Sequence, residues 1–204
     1  MFDIGWGRSR FSVLLVMFLA CLIHAAAFMQ IVSWPHSALA AKKQRPPALQ
    51  ISDDVDKLPV QVAEMRDAIL DAARRGQIRE LLEPVQMNEL KPDFGDVSAR
   101  APLKGWKDLS IDGQGREILA ILINILESPY AITRQGQDIE NNKLYVWPYF
   151  AEVPINKLPP HLETQLLRLI PRQQYAAMKK SGKYTFWRLV IGADGTWHSF
   201  HRQK

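Results

Sequence analysis

Ile118-Leu119-Ala120-Ile121-Leu122-Ile123-Asn124-Ile125-Leu126, within a helix expected to run to about Ser128, is the stretch on which the fold turns. Its apolar residues cover most of a helical circumference, as expected for a central helix buried on several sides rather than a surface helix with one greasy stripe. It is too short to cross a bilayer, with Arg116 and Glu127 charged and Pro129 breaking it. Ser110 or Asp112 can cap its start. Gly113-Gln114-Gly115-Arg116 superficially resembles a phosphate loop, but it lacks a third glycine, a preceding strand and a Gly-Lys-Ser/Thr, so it reads as the turn that opens this helix.

Upstream, Leu58-Pro59 suits a first helical turn. Val62, Met65, Ile69 and Ala73 recur at spacings of three and four, predicting a helix with one apolar stripe that closes at Gly76. Ile78, Leu81, Leu82 and Val85 predict a short second helix ending around Pro84, so the two form a helical hairpin. Asn88–Lys107, broken by Pro92, Gly95, Pro102 and Gly105, reads as a connecting loop anchored by Trp106. Ala41–Lys57 is polar with two prolines and reads as a flexible lead.

Strand character follows the central segment. Tyr130–Thr133 and Lys143–Phe150 flank a polar connection over Gln135–Asn142, and Pro148 favours an edge or a bulge. Helices are expected after Pro159-Pro160 and after Pro171, the latter closing at Gly182. Tyr184–Ile191 and Thr196–Arg202 around Gly192-Ala193-Asp194-Gly195 form a hairpin signal. The expected architecture is α+β: a helical hairpin and a buried central helix on an antiparallel sheet of about four strands, one domain over 58–204.

The aromatic residues stand above background. Alternation places Tyr145, Trp147 and Tyr149 on one face. In the hairpin it separates Tyr184, Phe186, Arg188 and Val190 from Thr185, Trp187, Leu189 and Ile191. One set can face the central helix, and the other is either covered by the C-terminal helices or exposed. An exposed strip of Trp147, Tyr149, Trp187 and Trp197 with Arg188 would be a platform for a sugar ring, a peptide or a partner strand.

Other chemistries are weaker. His198 and His201 are three apart on a strand and point to opposite faces, so one metal ion does not easily reach both. There is no G-x-S-x-G, and Ser181-Gly182-Lys183 reads as a helix stop. Asp112, Glu117 and Glu152 are candidate carboxylates for glycan hydrolysis, yet a cap, a helix-surface charge and a loop residue account for them. No cofactor is implied.

Residues 1–40 carry Arg8 and Arg10, an apolar run from Phe11 to Trp34, then Pro35 and Ser37-Ala38-Leu39-Ala40, the pattern of a cleaved export signal with Ala38 and Ala40 before the cut. An uncleaved anchor over Phe11–Trp34 and a lipid-modified Cys21 are the alternatives. Cleavage after Ala40 would remove Cys21, the one cysteine, and with it any disulfide or thiolate chemistry. About 160 residues would remain, enough for one core. They hold 24 Lys plus Arg against 20 Asp plus Glu, interspersed, with no dedicated nucleic-acid patch. The expected location is periplasmic, with membrane attachment only if the leader stays on, and the expected partner is an envelope component (protein, glycan or small ligand).

Asp112-Gly113-Gln114-Gly115-Arg116-Glu117-Ile118-Leu119, Tyr145-Val146-Trp147-Pro148-Tyr149-Phe150-Ala151, and Tyr184–Arg188 with Gly192–Trp197 resemble a family of uncharacterised exported bacterial proteins, over roughly 106–200. The resemblance implies an envelope location and a single domain. It supplies no activity and no site residues, and does not point to an enzyme.

Overall fold

The computed structural model describes residues 49–134 and 142–203. Residues 1–40, read above as an export signal, positions 41–48 and most of the Gln135–Asn142 connection lie outside the described residues. Among the described residues, six helices and a five-stranded antiparallel sheet make an α+β fold. The helices are α1 (Val60–Arg74), α2 (Leu82–Gln86), α3 (Pro102–Leu109), α4 (Arg116–Leu126), α5 (Pro160–Leu169) and α6 (Arg172–Ser181). The strands are β1 (Gln50–Ser52), β2 (Tyr130–Arg134), β3 (Lys143–Trp147), β4 (Trp187–Gly192) and β5 (Trp197–Arg202), lying side by side in that order.

α4 is the centre. It contacts α1, α5 and β4, and burial of Ile118, Leu119, Ile121, Leu122, Ile125 and Leu126 leaves only Arg116, Ala120 and Asn124 exposed along it. Its start is satisfied locally, because Ser110 Oγ accepts the Glu117 N–H at 3.2 Å and Asp112 accepts those of Gln114 and Arg116. These bonds, with the Ser110 hydroxyl contributing most, hold the Asp112 carboxyl below its usual range. Gly115 sits at φ +85°, and a Cβ there would stand 2.7 Å from Ile78 Cγ1, so the turn needs glycine twice over. At the other end Arg66 of α1 donates from Nε and Nη2 to the Leu126 carbonyl at 3.2 and 3.1 Å. That pairing satisfies a carbonyl the helix cannot satisfy itself.

Several sequence expectations change. Within the stretch read as a flexible lead, Gln50–Ser52 pairs with Tyr130–Ile132 as a fifth strand, and the Tyr130 hydroxyl donates to the Asp54 carbonyl at 3.0 Å. The loop before α4 contains α3, begun by Pro102 in its first turn and seated by fully buried Trp106. Strand β3 stops at Trp147, before a cis Trp147–Pro148 peptide, and it is the middle strand rather than an edge. Tyr149 therefore leaves the strand and enters a short 3-10 turn over Tyr149–Glu152. β4 begins at Trp187, and a bulge between Val190 and Ile191 interrupts the simple alternation.

Candidate functional site

The aromatic residues expected to form an exposed platform form the core. Trp147 and Trp187 are each 1 % exposed, Tyr149 3 % and Trp197 0 %. Cross-strand neighbours explain the burial. Trp147 packs 5.3 Å from Tyr130, and Phe200 stacks on Trp187 at 4.6 Å. Phe94 approaches both Trp106 and Trp197 edge-on. The Trp197 Nε1–H donates to the Ser199 carbonyl at 3.1 Å, and burial pushes the Tyr149 phenol up to about 12. Side chains buried to this degree form no exposed aromatic strip, which corrects that expectation.

Arg188 is half-buried and committed to Glu152, its Nη2 lying 2.8 Å from Oε1. That pair explains Glu152, while Asp112 and Glu117 serve the α4 cap. Glu117 also accepts the Ile111 N–H at 2.7 Å. The two histidines are kept apart. His198 lines one cleft near Asp194, and His201 lines another, with Nε2 3.8 Å from Asp93 Oδ2. Among the described residues no three or more His, Cys, Asp or Glu are placed to hold a metal ion.

Among the described residues, an open cleft with apolar walls lies at the end of β5. The cleft, of about 760 Å³, is walled by Phe94, Leu109, Ala177 and Trp187 on its apolar side, and by Gln173, Gln174, Thr185 and Gln203 as neutral polar groups. Asp93, Asp96, His201 and Arg202 add charge of both signs. The Arg202 guanidinium rests 5.4 Å from the Trp187 ring and 5.9 Å from that of Phe186. The Trp187 Nε1–H is buried with no hydrogen-bond partner among the described residues, an unusual state for an indole. A second cleft, of about 620 Å³ and including Glu152, Pro154 and Lys183, adjoins the first at His201 and Gln203, which line both.

Of the five residues singled out by sequence, Trp187 alone reaches this cleft. Its other walls come from segments far apart in the chain: the loop at Asp93–Asp96, the end of α3, one side of α6 and the last residues of β5. No local pattern announces such a set. The nearest signal was the hairpin, which puts His201 and Arg202 beside Trp187 and Arg188 in register.

The chain matches no protein-family model, no curated protein and no solved structure.

Proposed function

We propose that this chain is exported and works in the cell envelope as a domain that binds its target without transforming it, using the cleft beside Trp187. The observation that carries the reading is the cleft itself. Its volume falls within the roughly 300–1,000 Å³ of ligand sites, and its apolar walls with a few convergent polar groups match their usual composition. The leader pattern of residues 1–40 supports the compartment. The three carboxylates considered for hydrolysis are engaged in caps or an ion pair, which removes the residues that reading relied on.

The rival is a cell-wall hydrolase, with Asp93 and Asp96 in the same cleft as its acids. Incubation with isolated peptidoglycan sacculi separates the two. The binding reading predicts retention on an envelope component and no released fragments. Turnover lost in Asp93→Asn or Asp96→Asn variants that still fold would replace it with the hydrolase. Intact mass of the protein recovered from the envelope tests export at the same time: a chain starting at Ala41 is expected, and one starting at Met1 in the membrane fraction would make it an anchored domain.

A further inference from the structure

The cleft lies against a sheet edge whose backbone pairing is incomplete. In β5 the Gln203 N–H donates to the Phe186 carbonyl at 3.0 Å, so the main-chain groups of residues 203 and 201 face β4. By alternation those of Phe200 and Arg202 face outward. Asp93 occupies part of that edge: its N–H donates to the His198 carbonyl at 2.8 Å and its carbonyl accepts the Phe200 N–H at 2.9 Å. The chain then turns at Gly95, φ +64°, where a Cβ would stand 2.9 Å from His201 Cβ. Past this single bridge no other strand pairs with the outer edge of β5 among the described residues, and His201, Arg202 and Gln203 line the cleft instead.

We propose that the cleft takes an extended peptide segment, which continues the strand begun by Asp93 along the β5 edge. Its carbonyl accepts the Arg202 N–H, its N–H donates to the Phe200 carbonyl, and an apolar side chain rests against Phe94, Leu109 and Ala177. This deepens, and rests on, the binding reading above.

Three observations favour a peptide over the other envelope ligands. A sugar ring needs an open aromatic face, and the Trp187 ring is stacked by Phe200 and overlain by the Arg202 guanidinium. The glutamines of the rim offer amide groups that complement a peptide backbone. The two adjoining clefts together exceed the space a small ligand takes, and they suit an elongated chain.

The purified full-length protein is screened with a displayed library of random linear heptapeptides, and in parallel with peptide-free cell-wall glycan strands. Linear peptides bearing an apolar residue are expected to be enriched, and binding them should slow amide hydrogen exchange at Arg202. Arg202→Pro removes the outward-facing N–H together with the guanidinium, and should weaken binding about tenfold more than Arg202→Ala, the worth of a well-placed hydrogen bond. Arg202→Ala keeps that N–H and should weaken it less. Ala177→Trp, at an exposed helix position that tolerates the change, should block the cleft; circular dichroism confirms that each variant folds. Absence of enriched peptides, or equal binding to Arg202→Pro and the parent, overturns the proposal. Binding of glycan strands that is lost in Ala177→Trp also overturns it while leaving the binding reading intact. Release of fragments from sacculi overturns both.

Discussion

The packed face of the β4–β5 hairpin and its open end meet at adjacent residues, Phe200 and His201, and behave oppositely. On the packed face, Trp187, Leu189, Trp197 and Phe200 are buried, and the three rings pack on one another and toward Trp106. At the end, His201, Arg202 and Gln203 meet solvent and border the cleft. The contrast shows what aromatic density means in a domain with no disulfide among its described residues: large rings supply the burial that stabilises the sheet. The open surface begins where the main-chain pairing runs out. A tryptophan-rich hairpin therefore marks the core, and the open cleft lies at its polar end, away from the turn.

The largest effect expected on that contrast is at Trp197. Trp197→Ala leaves a cavity among Phe94 and Phe200 and removes the indole hydrogen bond to the Ser199 carbonyl, so urea unfolding should show a loss of about 3–5 kcal/mol. A loss below about 1 kcal/mol would place that ring outside the core.

Two buried tyrosines that border the hairpin strands give a pH test. Burial raises the Tyr149 phenol to about 12 and the Tyr184 phenol above its ordinary value, so both are neutral in the folded state where an unfolded chain ionises near 10. The contribution is fully present below pH 10 and is lost as pH rises through the folded value. For Tyr149 alone the loss is about 1 kcal/mol by pH 11. Denaturant midpoints should thus fall above pH 10, with phenolate absorbance from these two residues appearing only on unfolding. Early ionisation at pH 10 in the folded protein would count against a sealed interior.

The smallest effect is expected at the open end. Gln173→Ala, on the rim, should move stability by less than about 0.5 kcal/mol, while reducing retention on the envelope target. Equal destabilisation at Gln173 and Trp197 would erase the distinction between the two regions.

The parts of the fold that announce themselves are those specified within one segment. The all-round apolar pattern of α4, its Ser110 and Asp112 cap, the Val62–Ala73 stripe of α1 and the Gly192–Gly195 turn all use neighbours within a few residues. What escaped depends on distant pairing. β1 is three residues with polar ends, and only its partner Tyr130–Ile132 makes it a strand. Arg66 closes α4 from sixty residues away. Alternation correctly sorted β-strand side chains into two faces, but periodicity carries no information on whether both faces are covered. The bulge at Val190/Ile191 and the end of β3 at Trp147 then moved Ile191 and Tyr149 out of the simple pattern. The cleft drew on several separated segments, so Trp187 was its one residue within reach of a local reading.

Hydroxyl-radical footprinting read by mass spectrometry tests most directly whether the tryptophan-rich hairpin is interior, because it scores each side chain separately in the native protein. Trp106, Trp147, Trp187 and Trp197 should be protected, while Met87, 55 % exposed, is oxidised rapidly. Oxidation of Trp147 and Trp197 at rates comparable to Met87 would contradict the account and restore the sheet face as the contact surface.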